Sequence, residues 1–218
     1  MVVTSSHQQL NQNRQTVSGE QRVVFNGLKW SDYLAILAAV GDNRSSRLTY
    51  DRGKLEITMP LEKHEFSGEM IARFILILVE ELGLNLKSMG STTLNYPELD
   101  RGAEPDKEFY IQNASLVTGR EVDLEKDPPP DLVVEVDITN TDIDKLRLYA
   151  AMGIPEFWRY DGDTLRIYRL VETSYQEAQT SPTFPKIEKD SLYQFLVESK
   201  ENEVQASRNL RKRLQDMA

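Results

Sequence analysis

PDLVVEVDITNTDIDKLRLYAAMGIPEFWRYDG, residues 130–162, is the stretch on which the fold turns. Leu132, Val133, Val134 and Val136 make residues 131–138 almost continuously apolar. A half-buried strand alternates apolar and polar side chains, whereas a strand covered on both faces does not. The segment is therefore predicted as a central strand. Residues 142–152 follow as a helix, closed by Gly153 and by Pro155, which cannot continue it. Residues 156–160 and 164–170 then read as two strands around the turn Asp161-Gly162-Asp163. Strand, helix and strand in this order predict an α/β (α+β) class with a mixed central sheet flanked by helices.

Working outward, residues 22–25 read as a short strand and 30–40 as a helix. Residues 47–51 and 55–59 flank Arg52-Gly53 as a hairpin, with Leu55, Ile57 and Met59 alternating against Glu56 and Thr58. A long helix is predicted over 63–82, where Ile71, Phe74, Ile75, Leu78, Val79 and Leu82 recur at helical spacing, and Gly83 closes it. Strands are expected at 86–94 and 104–111. A loop covers 112–130, ending in three prolines, and a charged C-terminal helix spans 190–217. The domain reading is a disordered tail at 1–20, one domain at 21–200, and a charged helical extension at 201–218.

A chain of 218 residues can bury a large core, hiding roughly 70% of its unfolded surface. No apolar run approaches the roughly 18 residues of a membrane span, and residues 1–20 lack a signal core, so a cytoplasmic, membrane-free protein is expected. The absence of cysteine excludes disulfides and thiolate metal sites, and His7 and His64 cannot build a histidine-rich zinc site. No phosphate-binding glycine loop or serine elbow is present. The net charge of −9 argues against a nonspecific nucleic-acid binder, which presents a basic surface.

Glu135 lies within the most apolar strand of the chain, and Asp137 leaves the same face. A buried carboxylate is costly unless it is paired or binds a metal. One reading is therefore an ion pair between Glu135 and Lys145 with the strand end exposed at Asp137; the other is a metal site. Glu104, Asp106 and Glu108 share a face if their segment is extended, which describes a solvated strand edge unless a second acidic strand meets it. Hard cations such as Mg²⁺ take oxygen ligands from carboxylates. Lys145, ten residues after Glu135, stands near the start of the next helix, either as a surface lysine or folded back over the strand end. Glu65, with Glu69 behind it, opens the long helix; a charged first turn is also what the helix dipole favours.

The run at 130–162, the segment RGAEPDKEFYI at 101–111, His64 and the GSTTL strand at 90–94 together resemble the Uma family of restriction-endonuclease-like proteins over roughly residues 25–200. That family is similar to PD-(D/E)XK nucleases. The resemblance implies Asp106 as the first acid, Glu135 as the second, and Glu65 as the helix acid. It also implies that the lysine has migrated from the position two after Glu135, which is Asp137 here, to Lys145. The activity implied by the resemblance is that of a metal-dependent DNA endonuclease, with Mg²⁺ or Mn²⁺ held by Asp106 and Glu135; since cutting both strands needs two sites, a homodimer is expected. The alternative is a noncatalytic interaction protein that retains the nuclease fold.

Overall fold

The computed structural model describes residues 21–41, 44–138 and 141–217; the tail read at 1–20 lies outside them. In chain order the elements are β1 (Gln21–Asn26), α1 (Trp30–Val40), β2 (Arg47–Asp51), β3 (Lys54–Met59), α2 (Glu62–Glu81), β4 (Lys87–Gly90), β5 (Leu94–Tyr96), β6 (Arg101–Ala103), β7 (Lys107–Tyr110), α3 (Ala114–Val117), β8 (Leu132–Val136), α4 (Lys145–Ala151), β9 (Glu156–Tyr160), β10 (Leu165–Val171), β11 (Ser174–Ala178) and α5 (Lys189–Asp216). A single 3₁₀ turn, Pro97–Leu99, separates β5 from β6.

The strands form two sheets. One is mixed, ordered β11-β10-β9-β8-β7-β4, in which only β8 and β9 run parallel. A parallel pair needs a crossover, and α4 supplies it. The other sheet is antiparallel, ordered β1-β3-β2-β6-β5. The segment read as one strand over 86–94 is divided between the two sheets, and the strand read over 104–111 begins only at Lys107, after the chain has left β6 of the antiparallel sheet. The link from β6 to β7, Glu104, Pro105 and Asp106, is buried at the crossing point between the sheets.

β8 is covered on both faces, as its composition requires. Leu132, Val134 and Val136 enter the main core with Phe74, Ile75 and Leu78 of α2 and Phe195 of α5. Val133 faces the other way, into a second core with Leu148 and Tyr149 of α4 and Phe157 of β9. Alternation places Glu135 and Asp137 on the Val133 face, towards α4. The C-terminal helix is continuous to Asp216 apart from an extended kink at Asn202, and beyond the kink Ala206, Leu210 and Leu214 join the main core. On the antiparallel sheet, Gly102 is required by close packing: a Cβ there would lie 2.5 Å from the Tyr33 hydroxyl oxygen.

Candidate active site

Six elements, β1, β2, β3, α2, β8 and α4, together with the link before β7, converge on a cavity of about 20 Å³, enough for one or two water-sized occupants. Its lining includes Arg47, His64, Asp106, Glu135, Asp137 and Lys145. Asp106 directly precedes β7, and the register Lys107↔Val134 makes Asp106 the next partner of Glu135 on β8. Its Oδ2 accepts the Val136 backbone N–H at 2.7 Å and lies 3.2 Å from His64 Nε2; its Oδ1 lies 3.1 Å from Arg47 Nε. Burial alone would raise the Asp106 carboxyl. The His64 hydrogen bond and the charges of His64, Lys145 and Arg47 outweigh it and hold the group below the usual carboxylate range.

Lys145 is the first residue of α4, whose N-cap Asp144 accepts the Arg147 N–H. A lysine is electrostatically disfavoured at a helix N-terminus, so its carboxylate partners must compensate. Its ammonium donates to Asp137 Oδ1 at 3.0 Å and lies 2.8 Å from Glu135 Oε2. One turn along the same helix face, the Tyr149 hydroxyl donates to Glu135 Oε1. Burial pushes the Glu135 carboxyl up to about 7; Lys145 pulls it down, while Asp106 and Asp137 add to the rise. Burial disfavours the Lys145 charge, yet Asp137, Glu135 and Asp106 hold its pKa above the usual lysine value. Tyr149 is raised well above its usual range by burial and then by Glu135, so it remains a donor. Arg159 Nε reaches Asp137 Oδ2 at 2.9 Å. The strand end at Asp137 is thus buried and doubly paired rather than exposed.

Asp106, Glu135 and Lys145 therefore share one cavity. Glu65 does not line it. Its neighbour His64 turns inward, and a residue one step on is rotated by about 100° around the helix, so Glu65 is 42% exposed and bonded to Arg47 Nη1 at 2.8 Å. Glu69 is also exposed, paired with Lys107. Glu104 lines the cavity and Glu108 does not, because the chain changes sheets between them. Reading the sequence missed Arg47 and Tyr149. The spacing of Tyr149 from Lys145 was a usable signal; a strand arginine carried none.

Among the described residues no three His, Asp or Glu side chains form a ready metal cage. At the cavity the two facing carboxylates, Asp106 and Glu135, are both engaged within the protein: Asp106 by the Val136 N–H, His64 and Arg47, Glu135 by Tyr149 and Lys145.

Two sheets flanked by helices, with acids at the sheet junction, define a restriction-endonuclease-like α/β fold. The chain belongs to the Uma2 family, described as "Putative restriction endonuclease", whose model matches residues 30–197. No curated protein matches the chain. Among solved structures it is similar to a "putative nuclease belonging to DUF820" from Anabaena variabilis ATCC 29413, at 19% identity and a TM-score of 0.52, covering 78% of this chain and 99% of that one.

Proposed function

We propose that the protein is a metal-dependent nuclease that hydrolyses DNA phosphodiesters at the Asp106–Glu135–Lys145 cavity. The observation that carries this reading is the convergence of those three residues, from a sheet crossing, a central strand and a helix start, on one small polar cavity. The family and the fold of the Anabaena protein support the same class. Asp106 and Glu135 would hold one Mg²⁺ or Mn²⁺, which when bound polarises phosphate oxygens and makes a bound water more acidic.

The chain's own residues supply the rest. An ammonium has three donors. Two of those on Lys145 face Glu135 and Asp137, leaving one for a phosphate oxygen or the attacking water. Arg47, beside Asp106, adds positive charge where the phosphorane becomes more negative. His64 and the Val136 N–H fix the Asp106 carboxylate so that it need not reorganise during the reaction. Cutting both strands calls for two sites, so a twofold homodimer is part of the proposal.

A second reading, a noncatalytic protein that keeps the fold, is favoured by the net charge of −9 and by the engagement of both Glu135 oxygens with Tyr149 and Lys145. Thermal melting separates the two. Mass action by Mg²⁺ should raise the Tm of the native protein and leave Glu135→Gln unmoved. Identical Mg²⁺ responses in the two proteins would rule out a metal site at Glu135.

A further inference from the structure

Three concavities lie in a row along one face of β2. Arg47, Thr49 and Asp51 alternate onto that face. Arg47 lines both a groove of ≈ 340 Å³ and the catalytic cavity, Thr49 lines the cavity, and Asp51 lines a second groove of ≈ 410 Å³. The antiparallel partner repeats the order: Pro60 touches the first groove and the cavity, Thr58 the cavity, and Lys54 the second groove. Four residue steps from Arg47 to Asp51 span about 13 Å, the rise of about four base steps of one DNA strand.

The linings match a phosphate backbone. The first groove presents Ser45, Ser46 and Ser91 hydroxyls beside Arg44 and Arg47. The second presents Arg52, Lys54 and Arg147 beside Asp51, Asp142 and Asp144. Hydroxyls, guanidinium groups and ammonium groups are the usual phosphate-contacting side chains. Asp142 and Asp144 line the second groove, Asp144 capping α4 through the Arg147 N–H, and the remaining acids are paired with the grooves' own arginines or with neighbouring donors. Glu104 accepts from Arg44, Thr93 and the Leu48 N–H, Glu65 is bonded to Arg47, and Asp51 to Arg101 and Arg147. Arg52, in the left-handed turn between β2 and β3, is exposed.

We infer that this row is the track for one DNA strand, with the scissile phosphate at the cavity and a groove for the nucleotides on each side. The strand continues past the cavity in both directions, so cleavage is internal and needs no free end. This rests on the nuclease reading, but the binding test does not need cleavage.

The experiment measures binding of fluorescein-labelled oligodeoxynucleotides, single-stranded and duplex, in EDTA across a salt series. It also measures cutting of a covalently closed single-stranded circle with Mg²⁺. Arg52→Gln and Lys54→Gln should each weaken binding and reduce the salt slope by about one. Ser45→Glu and Ser91→Glu, at exposed positions, should weaken it from the other groove. Gln205→Glu, exposed on α5, no residue of which lines either groove or the cavity, controls for added charge and should bind like wild type. The circle should be cut. If groove variants and the control bind alike, or no oligodeoxynucleotide binds, the track is overturned; cleavage by wild type would then leave the nuclease reading standing. Trimming of linear ends with circles left intact also overturns it. If both grooves govern binding but nothing is cut, the track stands as a binding surface and the nuclease reading fails.

Discussion

Replacing Lys145 by methionine keeps an unbranched apolar stem one atom shorter and deletes the charge that neutralises the strand. The ammonium contacts Glu135 Oε2 at 2.8 Å and Asp137 Oδ1 at 3.0 Å, and all three side chains are at least nine-tenths buried. Asp137 retains Arg159, so the group left unpaired is chiefly Glu135. Removing one partner of a buried pair costs about 3–5 kcal/mol. Glu135 can escape part of that cost by taking a proton. Its folded pKa is already raised from 4.5 to about 7 with Lys145 present, and loss of the lysine raises it further. For a carboxyl whose folded pKa exceeds its unfolded value, the folded state binds the extra proton. Its stability contribution is therefore full below about pH 4.5 and is lost as pH rises through the folded value. Near pH 6 both proteins carry the proton, and the difference should be about 1–3 kcal/mol, from the lost charged hydrogen bond to Asp137. Above about pH 7 the gap should widen by about 1.4 kcal/mol per unit, towards the full 3–5 kcal/mol near pH 9. Urea unfolding of both proteins at the two pH values measures this. An equal loss at both, or no loss, would refute the pairing of Lys145 with a buried, proton-accepting Glu135.

Glu108 is fully buried on β7, and burial pushes its carboxyl up to about 8, with Thr92 pulling the other way. Because that value is raised, native stability should fall as pH climbs from about 4.5 through about 8, and Glu108→Gln should remove Glu108's share of that fall across the whole window, read by denaturant titration. Gly102→Ala should destabilise by about 1–3 kcal/mol through overpacking against Tyr33 and Asn95. Adding Tyr33→Phe, which deletes the hydroxyl that the new methyl would strike, should recover part of the loss in the double variant. A melting curve that leaves Gly102→Ala at the native Tm would contradict the packing described there.

Long periodic segments and the most apolar strand were legible because local sequence determines them. The helix at 30–40 and the strand at 47–51 coincide with α1 and β2, and β8 lies within 131–138. Sheet membership was not legible. Residues 104–111 alternate suitably for one strand, but Pro105 lies where the chain passes between sheets, and nothing local states that the strand begins only at Lys107. β11 was missed because Ser174–Ala178 is a polar edge strand with little apolar alternation. At the site, Glu135 stood out as an acid in an apolar strand. Glu65 and His64 are adjacent in a helical turn, and only the packing of α2 decides which one faces inward. Arg47 could not be recognised before β2 was placed against the crossing that holds Asp106.

The most direct test of the central claim is DNA cleavage by the purified full chain across a Mg²⁺ titration, with Glu135→Gln run in parallel. The native protein should cut in proportion to metal occupancy and stop on chelation. The variant keeps size and hydrogen bonding but loses one carboxylate charge, so its rate should collapse at every Mg²⁺ concentration. Cleavage that survives chelation, or equal rates from the two proteins, would contradict a metal-dependent active site at Asp106 and Glu135.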